Sequence, residues 1–264
     1  MHEYLDKWRL TNPRPLAKTA TSHLFRVDYR GEPAVLKLLT PLGVKDESLG
    51  ARSLAVWNGD GSVRLLAADE KAHLLEWVEG EPLSSLVAAG QDEKATEILG
   101  EVVARLHAYQ GQLPSGLTPL EEYFRSLFRQ ADRDPDLVAG AAVAEELLAS
   151  GGRVYLLHGD LHHDNILHHP GRGWLAIDPK GVVGEPTFDL ACALLNPVWL
   201  PDLVEDPRRL RAMAESLGRR LGLASERIRK FAFVYACLSV CWSWEDGDDP
   251  EPRLRMVRRL SERA

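Results

Sequence analysis

Apolar residues follow two different rhythms along this chain, and the change comes near residue 80. Before it, short apolar runs dominate. Residues 23–29 (HLFRVDY) and 33–39 (PAVLKLL) are separated by Arg30-Gly31-Glu32, the pattern of two strands joined in a hairpin. A new segment opens at Pro41, carries Glu47, Leu49, Arg52, Leu54 and Trp57, and meets Asn58-Gly59. Pro at its start and Asn-Gly at its end predict one helix across it. Two further strands are predicted at 63–67 and 72–78.

After Glu79-Gly80-Glu81-Pro82 the spacing turns helical. Ile98, Val102, Leu106 and Tyr109 recur every three or four residues on a helix that begins near Asp92. Residues 120–128 and 137–148 read the same way. Strand character returns at 154–157, in HGDLHHDNIL at 158–167, and at 174–177. Further on, Ile228, Phe231, Tyr235, Leu238 and Trp242 step by 3, 4, 3 and 4, one apolar stripe. The expected architecture is α+β. Residues 1–78 form a β-rich lobe with one helix, 79–82 a short hinge, and 83–264 a mostly helical lobe. The crevice between two lobes is a common ligand site.

Composition narrows the function. The chain has 264 residues, 45% hydrophobic and 27% charged, ordinary for a soluble domain with a full core. Its net charge of -7 argues against nucleic acid and anionic membrane as main partners. The same charge suits a cationic ligand. Three cysteines at 192, 237 and 241 imply no disulfide framework, so a reducing cytoplasm is expected. No apolar run approaches the length of a membrane span, and the N-terminus does not read as a signal peptide.

The candidate chemistry is dispersed. In HGDLHHDNIL, His158-Gly159-Asp160 is followed by four residues and then Asn165, and thirteen residues later by Asp178 after an apolar strand. Far upstream, Ala34-Val35-Leu36-Lys37 ends in a Lys on the third strand, with Glu47 in the helix after it. This order is what phosphoryl transfer from ATP needs. A strand Lys (Lys37) contacts phosphates and a helix Glu (Glu47) keeps it aimed. Asn165 and Asp178 supply the oxygen ligands that Mg²⁺ prefers. Asp160 faces the acceptor hydroxyl. Taken singly, Lys37 and Glu47 read equally as surface charges, and Asp160, Asn165 and Asp178 as turn residues; their joint spacing favours the catalytic reading. Glu76-Trp77-Val78 at the hinge is expected to offer backbone groups, those of Glu76 and Val78, to an adenine ring. Thr19–His23 sits where a phosphate-covering loop belongs, with Ser22 as its candidate donor, though it lacks a glycine-rich motif.

Other features have blander readings. His158, His162, His163, His168 and His169 crowd twelve residues, which raises a zinc site. Neither H-E-x-x-H nor C-x-x-C accompanies them, and His158 reads better as a loop brace. Trp242, Trp244, Glu245, Asp246, Asp248 and Asp249 form an aromatic and acidic cluster. It is either a solvated helix end or a wall for a cationic sugar, through stacking and carboxylate contacts.

These residues resemble the aminoglycoside phosphotransferases, and within them the streptomycin 6-kinase group of aminoglycoside/hydroxyurea antibiotic resistance kinases. HGDLHHDNIL and GWLAIDPKGVVGEPTFD (173–189) carry the resemblance, supported by VWNGDGSVRLLA (56–67), ATEI (95–98) and ACLSVCW (236–242). It implies a protein-kinase-like fold with an antiparallel sheet in the N-terminal lobe. It also implies ATP and Mg²⁺ as cofactors, Asp160 as the base, Asn165 and Asp178 on the metal, and Glu47 paired with Lys37. Asp189 matches a family Asp that braces the catalytic loop; on its own pattern it reads as a helix N-cap. Glu185 is placed near substrate, with Trp242, Glu245 and Asp246. Gly159 stands where protein kinases carry Arg, and there is no room for a long activation segment before Phe188, so a small-molecule acceptor is expected. Lys180 adds a positive charge where the group can carry a neutral residue, which questions a cationic acceptor.

The expected activity is ATP-dependent phosphorylation of an aminoglycoside, streptomycin at its 6 position first. The alternatives are a kinase of another small alcohol (a sugar or amino alcohol), a nucleotide-binding module without catalysis, and a His-based metallohydrolase.

Overall fold

The computed structural model describes residues 1–261. The chain opens with α1 (His2–Trp8), which ends where Arg9 turns left-handed. It continues into β1 (Thr11–Lys18), β2 (Ser22–Tyr29) and β3 (Glu32–Leu39). Two short helices follow, α2 (Pro41–Glu47) and α3 (Gly50–Trp57), then β4 (Leu65–Asp69) and β5 (Ala72–Glu76). The five strands make an antiparallel sheet in the order β1-β2-β3-β5-β4. Lys37 therefore lies on its central strand, opposite Leu24 of β2 and His73 of β5. The β2–β3 turn is the tight pair Arg30-Gly31, both at positive φ, the geometry that matches strand twist in a two-residue hairpin.

Three details differ from the sequence reading. The segment 2–18 holds a helix and an edge strand that Pro13 and Pro15 disguise. β1 is exposed along its whole length, and prolines belong on such an edge because no neighbour needs their missing N–H. The single helix expected over 41–57 is broken at Ser48-Leu49. There the carbonyl of Pro179 presses on Gly50, where a Cβ would lie 2.0 Å away. Strand β4 also starts late, because the Val63 N–H is drawn to the carbonyl of Ala176 at 3.0 Å.

The remainder is mostly helical. Its elements are α4 (Ser84–Ala88), α5 (Asp92–His107), β6 (Thr118–Pro119), α6 (Leu120–Tyr123), α7 (Arg125–Gln130) and α8 (Pro135–Ala149). Next come β7 (Tyr155–Leu157), β8 (Ile166–His169), β9 (Gly173–Ala176) and β10 (Val182–Gly184). The chain finishes with α9 (Asp189–Leu194), α10 (Pro201–Val204), α11 (Pro207–Leu221), α12 (Ser225–Asp246) and α13 (Glu251–Ser261). Helix α12 does more than present a stripe. Every residue from Phe231 to Cys241 is buried, because α7, α8, α9, α11 and α13 surround it. A helix buried on all sides is apolar all round.

Two apolar cores result. The small one joins Tyr4 and Leu10 to Val27, Leu36 and Leu74 under the sheet. The large one fills the helical part and reaches across to Leu54, Trp57, Val63, Leu75 and Val78. Trp57 is anchored there by its indole N–H, which donates to the carbonyl of Leu106 at 3.1 Å. Helix α3 thus packs with the helical core.

Candidate active site

The stretch between β7 and β8 is a loop held by one buried carboxylate. Asp189, 1% exposed at the start of α9, accepts the N–H groups of His158 at 2.9 Å and Gly159 at 2.8 Å. His107 Nε2 is 2.8 Å from the same group. Burial pushes this carboxyl up, but the hydrogen bonds from His107 and Gly159 outweigh it and hold its pKa below the usual range. The helix N-cap alternative does not hold, since Asp189 is the first helical residue and its oxygens point at the loop. Gly159 sits at φ +81, and a Cβ there would meet Val182 Cγ2 at 2.7 Å, so only glycine fits.

His158 joins this loop to the next hairpin. It is fully buried, its Nδ1 accepts the N–H of Asp160 at 3.3 Å, and its Nε2 lies 2.8 Å from the carbonyl of Ile177. Nε2 therefore carries the proton. The ring stacks on Trp57 at 6.4 Å. In turn the Ile177 N–H donates to the carbonyl of Asn165 at 2.9 Å, at the end of the β8–β9 ladder. Pairing of these strands thus brings Asn165 and Asp178 together. Asn165 donates its amide Nδ2 to the carbonyl of Asp160 at 2.9 Å, which leaves its amide oxygen free.

Charges gather in front of this frame. Lys37 Nζ lies 2.6 Å from Glu47 Oε2, with side chains 3% and 4% exposed, and also contacts Asp178 Oδ1. Glu47 Oε1 accepts from Lys180 Nζ at 3.0 Å, and Lys180 Nζ is 3.8 Å from Asp160 Oδ2. The sequence pairs Lys37 with Glu47, as found, but the second cation of the set is Lys180. Burial and Asp178 push the Glu47 carboxyl up, and Lys180 and Lys37 bring it below the usual range. For Asp160, burial pushes up and Lys180 and His162 pull the carboxyl below it. Asp178 is held low in the same way by Lys37 and Lys180 against its burial. Three ionised carboxylates and two ammonium groups form a chain across the crevice.

Behind Asp160 lies a wall that the sequence did not reveal. Asp160 Oδ1 accepts from the Tyr235 hydroxyl and from the Cys192 thiol, both at 3.2 Å. Tyr123 donates its hydroxyl to the carbonyl of Gly159 at 3.1 Å. Trp242 meets both tyrosines edge-on, 5.6 Å from Tyr123 and 5.8 Å from Tyr235. In the sequence Tyr235 was one member of an apolar stripe, Cys192 one of three thiols, and His107 carried no signal.

Other predicted residues fare differently. Ser22 is 2% exposed and donates its N–H to Thr19 Oγ1 at 2.9 Å, so that N–H closes its own turn and is not open to a phosphate. The N–H groups of Ala20 and Thr21, by contrast, bond to no other described residue. Glu76 is engaged by the sheet: its N–H donates to Arg64 at 3.1 Å, and its carboxylate takes the Arg172 guanidinium. Val78 keeps a backbone unpaired among the described residues. Glu185 is removed from substrate duty, since Arg227 grips both its oxygens at 2.5 Å. The C-terminal cluster divides. Arg133 covers the Trp244 ring at 3.7 Å and Glu245 accepts from Gln130 at 2.9 Å. Asp246, four residues past Trp242 on the same helix face, is exposed.

The histidines do not converge. Among the described residues, no three of His, Cys, Asp and Glu are arranged to hold a metal ion. His163 is buried with neither ring nitrogen bonded, and burial pushes its pKa down to about 4. Asn165 and Asp178 fit a different metal: one free amide oxygen and one carboxylate beside a phosphate-directed Lys suit Mg²⁺, which takes few protein ligands and completes its shell with phosphate and water.

A cavity of about 390 Å³ lies between α10, α12 and α13, lined by Val204, Ser239, Ser243, Asp248, Asp249 and Arg253 among others. Ser239 and Ser243 continue the face of α12 that carries Tyr235.

Comparison with known proteins agrees with this geometry. Residues 7–247 match the family model of the aminoglycoside/hydroxyurea antibiotic resistance kinases. The chain is 38% identical over 251 residues to a streptomycin 3''-kinase of Klebsiella pneumoniae, covering 92% of each. It is 32% identical to a streptomycin 6-kinase of Streptomyces griseus, over 92% of this chain and 81% of the relative. Among solved structures it superposes on an aminoglycoside phosphotransferase held with ADP and hygromycin B, with a TM-score of 0.66 at 15% identity, over 99% of this chain and 96% of that one. The chain has the protein-kinase-like fold and belongs to the aminoglycoside/hydroxyurea antibiotic resistance kinase family.

Proposed function

We propose that this protein transfers the γ-phosphoryl group of ATP, with Mg²⁺, to a hydroxyl of an aminoglycoside, streptomycin first among them. The observation that carries this reading is Asp160, ionised, 23% exposed and fixed at Oδ1 by Tyr235 and Cys192, beside the Lys37–Glu47 pair. A carboxylate so held presents its other oxygen to an incoming hydroxyl and takes its proton.

Residues 1–78 serve as the nucleotide lobe and 79–82 as the hinge. Adenine docks on the unpaired backbone at Val78. Lys37 reaches the phosphates and Glu47 keeps it aimed. The loop N–H groups of Ala20 and Thr21, in place of that of Ser22, cover the phosphates. Asn165 and Asp178 hold Mg²⁺, which supplies positive charge to the phosphate oxygens. The acceptor lies in the cavity lined by Asp248, Asp249 and Glu205 together with Arg253 and Arg255; Glu205 is 3.8 Å from Arg255, which leaves the carboxylates one charge in excess. These carboxylates suit ammonium or guanidinium groups, and Trp242 with Asp246 closes the side toward the crevice. Lys180 does not repel such a ligand, because Glu47 and Asp160 already neutralise it. The cytoplasm, where ATP is abundant, is the compartment this reading requires.

The 6 position is the first reading because HGDLHHDNIL and GWLAIDPKGVVGEPTFD resemble the streptomycin 6-kinases, and 32% identity to one of them supports it. Similarity to a 3''-kinase at 38% identity supports the 3'' position as the second reading. The experiment is an acceptor panel of aminoglycosides, hydroxyurea, sugars and amino alcohols with ATP and Mg²⁺. Product is detected by mass and the phosphorylated position assigned by NMR. Asp160→Ala should lower turnover by about 10²–10⁴-fold while ATP still binds. Near-normal turnover in that variant would sink the assignment of Asp160. Phosphorylation of an amino alcohol alone would replace the aminoglycoside reading.

A further inference from the structure

We propose that Lys180 is a catalytic residue of this transfer: its ammonium stands on the path from nucleotide to acceptor and offsets charge on the phosphoryl group as it moves. The inference rests on the kinase reading of the site and adds a cation to it that this reading does not use.

The position of Lys180 is the first argument. Its Nζ lies 3.0 Å from Glu47 Oε1, on the nucleotide side with Lys37, and 3.8 Å from Asp160 Oδ2, the oxygen left open to the hydroxyl. A group passing from the phosphate site to the Asp160-bound hydroxyl must cross this interval. Among the described residues, no other Lys, Arg or His nitrogen lies within 4.0 Å of an Asp160 carboxylate oxygen. His162, two residues on, is engaged by the loop itself: its Nδ1 accepts the N–H of Asp164 at 3.3 Å.

The second argument is that Lys180 is held in place. Its N–H donates to the carbonyl of His158 at 2.8 Å, which ties it to the catalytic loop. On either side, Pro179 packs on Gly50 and Gly181 on Leu49, so closely that a Cβ at Gly50 or Gly181 would lie 2.0 or 2.5 Å from the opposing atom. The break between α2 and α3 exists where this turn enters. Preorganised charge of this kind lowers a barrier because nothing must rearrange as the reaction proceeds. The side chain is only 20% exposed, so water screens it little once a phosphoryl group stands against it. Glu47 and Asp160 flank its ammonium group on both sides.

The step balances as follows. The bond between the γ-phosphorus and the β–γ bridging oxygen breaks, and its electron pair leaves with ADP. A bond forms from the acceptor oxygen to phosphorus, and the hydroxyl proton passes to the Asp160 carboxylate. In mid-transfer the negative charge of the phosphoryl group is spread over its three equatorial oxygens, and Lys180 stands beside them.

The test compares Lys180→Met and Lys180→Arg with the parent enzyme. Steady-state turnover is measured on the best acceptor. Binding of ADP and of a non-hydrolysable ATP analogue is measured by calorimetry with Mg²⁺, alongside thermal melting. Lys180→Met should lower kcat by about 10²–10³-fold, the usual loss of one preorganised donor, and Lys180→Arg should recover at least a tenth of the parent rate. In Lys180→Met, affinity for the analogue should fall tenfold or more, with ADP affinity within threefold, because ADP lacks the γ-phosphoryl group. Equal losses for both nucleotides, or kcat within threefold of the parent, overturns the proposal. So does a rate loss that Arg does not restore and that tracks a lower melting temperature. If the parent phosphorylates no acceptor yet the analogue-specific loss appears, the kinase reading falls while the Lys180 contact with the γ-phosphoryl group stands.

Discussion

Replacing Asp189 with Asn tests the frame of the site, because the change keeps shape and removes charge. The parent carboxylate takes three donors inside the core: the N–H groups of His158 and Gly159, and His107 Nε2. An amide offers one oxygen and one NH₂. Its better orientation keeps the oxygen where Oδ2 was, facing His158 and His107, and turns NH₂ toward the Gly159 N–H. That leaves one buried donor without an acceptor, about 2 kcal/mol, and weakens two charge-assisted bonds to neutral ones, about 1 kcal/mol each. Relief of the buried charge returns part of this, about 1 kcal/mol, since the hydrogen bonds already outweigh burial at this carboxyl. The net expectation is a loss of about 3 kcal/mol.

A domain of ordinary stability, about 5–15 kcal/mol, survives that loss, so it can be read by urea unfolding. The loop N–H released in Asp189→Asn is that of Gly159, next to Asp160, and the one weakened is that of His158. Turnover should therefore fall while the KM for ATP stays near the parent value. His107→Leu in the same background should be non-additive by at least about 1 kcal/mol, because both changes remove one shared contact. A stability loss below about 1 kcal/mol in Asp189→Asn, or full additivity with His107→Leu, would refute the bracing argument.

Three other outcomes follow from single features. Gly159→Ala places a Cβ 2.7 Å from Val182 Cγ2 at φ +81; it should destabilise by about 2 kcal/mol or more, and Val182→Ala should restore only the steric part of the melting temperature. His73 is 3% exposed, and burial, then Lys37, push its pKa to about 4 against 6.5 when unfolded. The unfolded chain takes this proton first, so the stabilisation is complete above pH 6.5 and is lost as pH falls toward 4; between pH 7 and pH 5 the loss is about 2 kcal/mol. Urea unfolding at both pH values should show that this difference shrinks in His73→Gln. Finally, Asp248→Asn with Asp249→Asn should raise the KM for a cationic aminoglycoside several-fold, with the KM for ATP unchanged and the effect fading as salt rises; an unchanged acceptor KM moves the acceptor out of this cavity.

The parts of the site legible in the sequence are those whose meaning is carried by short-range order. Asp160 and Asn165 share one loop, and the β8–β9 hairpin that joins Asn165 to Asp178 is only a few residues longer. Lys37 is legible because a strand fixes it and Glu47 follows within one helix. The illegible parts depend on where separate segments meet. Tyr235 lies 75 residues from Asp160 and His107 lies 82 from Asp189, and no local pattern marks a tyrosine or histidine for such a partner. The acidic and aromatic cluster at 242–249 leaves two readings open, a solvated helix end or a wall, because adjacency in sequence does not say which residues share a face. A helix sends its neighbours to different faces, so Trp242 and Asp246 share one while Trp244 meets Arg133.

Lys180 shows why charge on a sequence is a poor guide to charge in a site. As a letter between Pro179 and Gly181 it argues against a cationic acceptor. In the fold it stands between two carboxylates from distant segments, Glu47 and Asp160, so its field is largely answered before any acceptor arrives. The chain Asp178, Lys37, Glu47, Lys180, Asp160 carries three negative and two positive charges. Its excess of one negative charge is compatible with both a divalent cation and a cationic sugar. Neutralising Lys180 raises that excess to two. A phosphoryl group must then approach Asp160 with no cation beside it, whereas a cationic acceptor gains attraction. The kinetic signature of this imbalance is opposite movement: slower turnover with an acceptor KM that falls or holds. Removing a merely structural lysine has no reason to separate the two.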